Sequence, residues 1–213
     1  MILFLTIVSG VAWTAVYIDA IRIGFRDRSY AIPAAALALN FAWEVLYASR
    51  AVATGISAQG VFNIVWGLAD VAVVVTFLRF GRAELPPWVT RRLFAGWALL
   101  LALTACVVQW LFVVEFGWTD APSYSAFLQN LLMSGLFIAM FAARAGLRGQ
   151  SLLIGVAKWI GTLAPTVAFG WLENSPLILG LGGLCSIFDL AYIGLLWRAR
   201  RPAQQAWPQI STR

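Results

Sequence analysis

Apolar residues fall in long unbroken runs, separated by short connections that carry most of the arginines. A hydrocarbon core of about 30 Å needs about 20 residues of helix to cross it. Seven runs approach that length, at 2–21, 32–49, 60–78, 93–114, 125–143, 150–172 and 176–197. Polar and apolar positions do not alternate within them, so helices are expected and the strands of a transmembrane barrel are not. Turn signals fall between the runs, at Pro86-Pro87, Pro122-Ser123, Gly149 and Asn174-Ser175-Pro176. The predicted architecture is an all-α polytopic bundle of seven transmembrane helices. It forms a single domain over 1–200, followed by a basic tail over 201–213.

The arginines orient this bundle. Arg22, Arg26 and Arg28, then Arg79, Arg82, Arg91 and Arg92, then Arg144 and Arg148, and finally Arg198, Arg200 and Arg201 all fall on one side, opposed by Arg50 alone. The positive-inside rule then puts the C-terminus in the cytoplasm and the N-terminus outside, which an odd number of helices requires. The first run has neither a basic stretch before it nor a small-residue cleavage site, so it reads as a retained helix.

Composition strengthens the membrane reading. Of 213 residues, 62% are apolar and 11% charged, with a mean hydropathy of +0.83, whereas a soluble domain carries about 25% charged residues. That excludes a cytosolic globule and a disordered chain. The net charge of +6 is spread in clusters between runs and forms no single basic face, which excludes nucleic acid as a partner. A multi-pass protein of the cell membrane is expected, with the lipid bilayer as its surroundings.

Absences narrow the chemistry further. The chain has no histidine, hence no Ser-His-Asp triad and no imidazole metal site. Cys106 and Cys185 both lie in apolar runs and read as small buried hydrophobes, not as a disulfide or zinc pair. Lys158 is the one lysine. Carboxyls, amides, hydroxyls, aromatics and arginine are left to do the work, with no metal and no cofactor expected.

Ionisable residues inside a spanning segment are costly and mark function by default. Asp19, three residues before Arg22, reads as half of an interfacial ion pair. Glu44, Asp70 and Asp189 lie within about 5 Å of the midpoints of runs two, three and seven, at 1.5 Å per residue. Lys158 is the one cation available at depth, so charge pairing cannot neutralise all three, and at least one is expected to carry its proton. A buried neutral carboxyl is a general acid waiting for a base.

Helical spacing gathers neighbours around these acids. Asn40 and Glu44 share a face, with Trp43 and Tyr47 beside them; Asn63, Trp66 and Asp70 follow i, i+3, i+7; Cys185, Asp189 and Tyr192 repeat the idea. Asn-x-x-Trp followed by an acid thus occurs twice. Gln109, Gln129, Asn130, Ser134, Thr162 and Thr166 are further polar groups within runs, and in membrane helices such groups commonly bond helix to helix. Trp13, Trp88, Trp118 and Trp207 lie near ends or loops and read as interfacial belt or surface residues. Trp43, Trp66, Trp110 and Trp159 lie deeper, and indole faces attract cations. An apolar cavity with a proton donor and aromatic walls suits carbocation chemistry; it also suits a proton-coupled carrier.

The run Asn40-Phe41-Ala42-Trp43-Glu44, the acid ending Asn63-Ile64-Val65-Trp66-Gly67-Leu68-Ala69-Asp70, and Asp189 in the last run resemble the integral-membrane terpene cyclases. Fungal members of that family serve pyripyropene-type meroterpenoid and paxilline-type indole-diterpene pathways. Bacterial relatives cyclise prenylated indoles or cyclodipeptides, as in the drimentine pathway. The resemblance covers nearly the whole chain, and its specificity lies chiefly in the Asn-x-x-Trp-Glu run.

It implies an isomerase- or lyase-type cyclase of class II character, in which a proton initiates and no diphosphate is lost. The family's two essential acids carry over to Glu44 and Asp189, and Asp70 matches a helix-three acid. The chain has neither an Asp-Asp pair to hold magnesium nor an Asp-x-Asp-Asp run. Glu44 is then expected to protonate a terminal epoxide or olefin of a prenylated substrate. Asp189 would orient it, share its proton or tune it, with the two roles exchangeable. Asn40, Trp43, Tyr47, Asn63, Trp66, Trp110 and Tyr192 are the expected substrate-binding residues. The Ala-, Arg- and Trp-rich, Lys-poor composition suggests a GC-rich bacterial genome.

The rival reading is a proton-coupled small-molecule transporter, which also places acids at mid-membrane; no half-chain repeat supports it. A retinal photoreceptor needs a Schiff-base lysine in its last helix, whereas Lys158 lies early in run six.

Overall fold

The computed structural model describes residues 1–55, 58–144 and 146–200. The tail predicted over 201–213, with Arg201 and Trp207, lies outside the described residues. Among the described residues the regular structure is all helical: α1 (Ile2–Asp27), α2 (Ala34–Thr54), α3 (Ala58–Phe80), a 3-10 turn (Gly81–Glu84), α4 (Arg91–Arg144), α5 (Leu152–Pro165) with a π-helical continuation (Thr166–Leu172), and α6 (Pro176–Arg200). Five described stretches are long and apolar enough to cross a bilayer: Ile2–Asp27, Gly60–Glu84, Arg91–Arg144, Leu152–Leu172 and Pro176–Arg200. The Ala-rich α2, which carries Asn40, Glu44 and Arg50, is not among them.

Helix α4 has 54 residues, about 80 Å at 1.5 Å per residue, far more than one bilayer crossing. It is broken at Gly117, where φ 69 and ψ 174 demand a residue without a Cβ, leaving arms 91–116 and 118–144. The sequence points to Pro122-Ser123 as the turn. The break falls earlier because a positive φ redirects the chain, whereas Pro122 only removes one donor and is accommodated inside the second arm.

The helices close a ring. α1 packs on α3 and α5, α5 on α6, α6 on α4, α4 on α2, and α2 on α3. Val16, Ala20, Val73, Phe137 and Tyr192 lie in the shared core. Leu68, Leu99, Leu103, Val114 and Ile187 point outward, as a bundle in lipid allows, because lipid tails are as apolar as leucine. Cys185 is buried as expected, but Cys106 faces outward, and neither is in a disulfide.

Small residues let α6 meet the π-helical segment. Pro165 has no N–H for the carbonyl four residues back, and the chain widens after it. A Cβ at Gly170 would stand 2.8–2.9 Å from backbone atoms of Leu179, which cannot rotate away. Gly170→Ala is therefore expected to lower the thermal midpoint in detergent by several degrees, since overpacking costs about 1–3 kcal/mol. Gly183→Ala is its control, with nothing within 4 Å of the added carbon. Equal midpoints for the two variants would contradict this backbone contact.

The arginine-rich end is tied together by polar contacts between connections. Arg144 pairs with Glu84 at 2.6 Å and donates to the Tyr30 carbonyl at 2.9 Å. Arg148 donates to the carbonyls of Asp27 and Arg28. Asp19 forms the expected ion pair with Arg22, at 2.7 Å, and also accepts from Ser151.

Candidate active site

In the half of the bundle away from the arginine-rich end, five helices turn stripes of side chains toward one cavity of about 340 Å³. That is at the lower end of small-molecule sites, about 300–1,000 Å³. α1 supplies Ser9, Trp13 and Tyr17 at i, i+4, i+8; α2 supplies Asn40, Trp43, Glu44 and Tyr47; α3 supplies Asn63 and Trp66. The second arm of α4 contributes Trp118, Phe127, Gln129 and Asn130. Gly161, Thr162 and Pro165 of α5, and Phe169 beyond it, complete the wall.

Glu44 is buried, and among the described residues its Oε2 atom has no hydrogen-bond partner. It packs where α3 has no side chain: a Cβ at Gly67 would lie 3.6 Å from the Glu44 Cβ. Among the described residues neither Glu44 nor Asp70 has an ion-pair partner. Asp70 is fully buried and does not itself line the cavity. Its Oδ2 accepts from Asn40 Nδ2 at 3.0 Å, and the same amide donates to the Tyr17 hydroxyl. Asn40 Oδ1 accepts from Gln129 Nε2 at 3.4 Å, and Gln129 Oε1 accepts from Gln109 Nε2 at 2.7 Å. A chain of amides from α2 and both arms of α4 thus holds Asn40 between the cavity and Asp70.

Asp189 is placed differently from expectation. Both its oxygens accept from Lys158 Nζ, at 2.8 and 3.0 Å, and Lys158 donates as well to Ser134 Oγ at 2.7 Å. Asp189 therefore does not share the cavity wall with Glu44. The reason is register: Lys158 lies fourteen residues before Leu172 and Asp189 thirteen after Pro176, so an antiparallel pair brings them to one depth. Lys158 and Ser134 are each one turn from the cavity residues Thr162 and Asn130, which puts this ion pair just beneath the cavity floor. The sequence identifies Lys158 as the one cation available to these acids but not which of them it meets; matching depth on consecutive antiparallel helices is the signal that selects Asp189.

Aromatic walls are anchored at their polar edges. Trp43 Nε1 donates to the Pro122 carbonyl at 3.1 Å and Trp66 Nε1 to Thr14 Oγ1 at 3.2 Å. The Trp43 and Tyr47 rings lie 4.8 Å apart, and Trp118 meets Tyr47 edge-on at 6.3 Å. Arg50 stacks over Trp118 at 4.9 Å, at the end of the cavity where α2 stops.

Of the expected binding residues, Asn40, Trp43, Tyr47, Asn63 and Trp66 line the cavity. Two do not. Trp110 is 53% exposed and lies in an outer apolar groove with Leu99 and Cys106. Tyr192 is buried against Phe137 at 5.2 Å and donates to Gln150. Depth along a helix says nothing about which face a residue occupies. Conversely Trp13 and Trp118, whose positions suggest a belt role, line the cavity; the i, i+4, i+8 spacing of Ser9, Trp13 and Tyr17 was the available signal.

The family model of the Pyr4-like transmembrane terpene cyclases matches residues 1–202. Among curated relatives, the chain is 33% identical over 171 residues to the Pyr4-family terpene cyclase mfmH of Annulohypoxylon moriforme, covering 78% of this chain and 69% of the relative. It is 26% identical over 204 residues to terpene cyclase pyr4 of Aspergillus fumigatus, covering 90% and 84%. Terpene cyclase dpmpB of Macrophomina phaseolina is 30% identical over 209 residues, covering 90% and 83%. These relatives are fungal, so the bacterial origin suggested by composition gains no support. No solved structure matches the chain.

Proposed function

Because the chain belongs to the Pyr4-like transmembrane terpene cyclases, and is thereby a membrane-embedded cyclase, we propose that it carries out a proton-initiated, metal-independent cyclisation. The substrate is a prenyl chain borne on an indole, a cyclodipeptide or another meroterpenoid precursor. The observation that carries this reading is Glu44, a buried carboxyl facing an aromatic cavity, with neither cation nor donor at its Oε2 among the described residues. A charge left there would be uncompensated, so the group enters the reaction as the acid.

Glu44 gives its proton to the terminal epoxide oxygen or olefin carbon. The C–O bond or π bond breaks, internal double bonds close rings onto the cation, and the last cation returns a proton to a base. No atom is gained or lost overall. Trp43, Trp66 and Tyr47 flank the cationic intermediates, an attraction of about 2 kcal/mol or more when desolvated. Asn40 holds Asp70 behind Glu44, and Asp189, already bridged by Lys158, acts as a fixed charge below the floor. Of the two exchangeable roles the donor's therefore goes to Glu44. We place seven spans, counting α2 once and α4 as two arms, in one domain over 1–200. The N-terminus lies outside and the C-terminus in the cytoplasm of a cell-membrane protein, as the arginine distribution favours.

The test is product analysis. Membranes carrying the protein receive farnesylated indole, farnesylated cyclodipeptide and the terminal epoxide of each. An isomer of unchanged mass and fewer double bonds, identified by mass spectrometry and NMR, is expected from at least one. No conversion of any member, with insertion verified, overturns the substrate class. EDTA is expected to leave the rate unchanged, and loss of turnover restored by magnesium would overturn the metal-independent step.

A further inference from the structure

The cavity has a second polar region besides the Glu44 carboxyl. Thr162 is 2% exposed, lines the cavity, and among the described residues its Oγ1 has no hydrogen-bond partner. Among the described residues it is the one buried serine or threonine hydroxyl left without a partner. Thr14, Ser125, Ser134 and Thr166, also inside helices, give their protons to the carbonyl four residues back at 2.7–2.9 Å. Such a back-bond satisfies a helical hydroxyl without outside help, and Thr162 forgoes it.

Asn130, on the second arm of α4, presents the same situation: its Oδ1 is buried, without a partner among the described residues, and belongs to a residue in the wall of the same cavity. The Lys158 to Ser134 bond at 2.7 Å joins α5 to the second arm of α4, and Thr162 and Asn130 stand one turn further along those same two helices. The nearby Ser9 hydroxyl donates to the Gly161 carbonyl at 2.7 Å, so its proton is already committed. Buried polar atoms without partners are destabilising, and two in the wall of one cavity mark where a ligand supplies what is missing.

We propose that Asn130 and Thr162 form a head-group subsite that accepts an N–H or O–H donor on the non-isoprenoid part of the substrate. The prenyl chain then runs along the aromatic wall to Glu44. This rests on the cyclase reading above and deepens it: the substrate is a polar ring carrying an isoprenoid, not a bare hydrocarbon. A site built to hydrogen-bond a group discriminates against the analogue that lacks it, because its own polar atoms are left unpaired.

The full-length protein in nanodiscs is titrated by tryptophan fluorescence, since Trp13, Trp43, Trp66 and Trp118 line the cavity. The ligands are farnesylated indole, phenol and cyclodipeptide, each with its N- or O-methylated counterpart, so that the panel also tells amide from hydroxyl donors. Methylation is expected to weaken binding about tenfold for at least one pair. Thr162→Val and Asn130→Leu should each reduce that penalty to about twofold or less, and Thr162→Ser should keep it. No methylation penalty anywhere in the panel, or a penalty that survives both substitutions, overturns the subsite. If Glu44→Gln abolishes cyclisation while no penalty is found, the subsite fails alone. If the unmodified protein cyclises nothing, the substrate reading fails whatever the binding shows.

Discussion

Glu44→Gln is expected to remove turnover, by at least the 10²–10⁴-fold typical of a general acid, while the protein still inserts and binds substrate. Glutamine keeps the length and shape of the side chain, so it still fits against Gly67, which has no side chain to obstruct it. No ion pair is lost, because Glu44 has none among the described residues. What disappears is a proton that can leave; an amide N–H does not give its proton to an epoxide or olefin. Glu44→Asp withdraws the acid by one methylene and should cost less than Glu44→Gln. Single-turnover product formation alongside ligand binding separates chemistry from affinity. Normal cyclisation by the glutamine variant would strip Glu44 of the donor's role.

The second large effect concerns Lys158 and Asp189. Lys158→Met leaves the Asp189 carboxylate buried without its cation, and breaking such a pair costs about 3–5 kcal/mol. For a chain of this length that lowers the thermal midpoint by roughly 10 °C, at 2–4 °C per kcal/mol. Asp189→Asn should do comparable damage from the other side. The double variant Lys158→Met with Asp189→Leu replaces the pair by apolar side chains, which buried bridges often tolerate without loss, so its midpoint should return toward that of the unmodified protein. Turnover is expected to stay low, because the fixed ion-pair dipole proposed under the cavity floor is gone. Full recovery of turnover would make the pair structural only, and an unshifted midpoint in Lys158→Met would contradict the bridge.

Helix positions were legible because hydropathy depends on composition alone: the run predicted at 2–21 becomes Ile2–Asp27, and that at 176–197 becomes Pro176–Arg200. Half of the site was legible for a related reason. Asn40, Glu44 and Tyr47 are spaced to share a helix face wherever the helix goes. The rest depends on which face meets another helix, and in lipid the outer face is as apolar as the inner one. Periodicity therefore carries little signal, and Trp110 facing outward looks the same in the sequence as Trp66 facing in. Partnering is also a property of two helices at once. Nothing local to Asp189 announces Lys158, and nothing local to Thr162 announces that its hydroxyl is left over.

The Lys158–Asp189 bridge also bears on how the chain enters the bilayer. Alone, each of the last two helices would bring a bare charge to mid-membrane, at about 2.5–3.5 kcal/mol on insertion scales. They are consecutive, joined through Glu173, Asn174 and Ser175, and their charges meet at one depth. They therefore partition most favourably as a hairpin that leaves the translocon together, its two charges already cancelled. Inserted ahead of α6, α5 would carry Lys158 without Asp189, and insertion of the two helices as a pair avoids that cost.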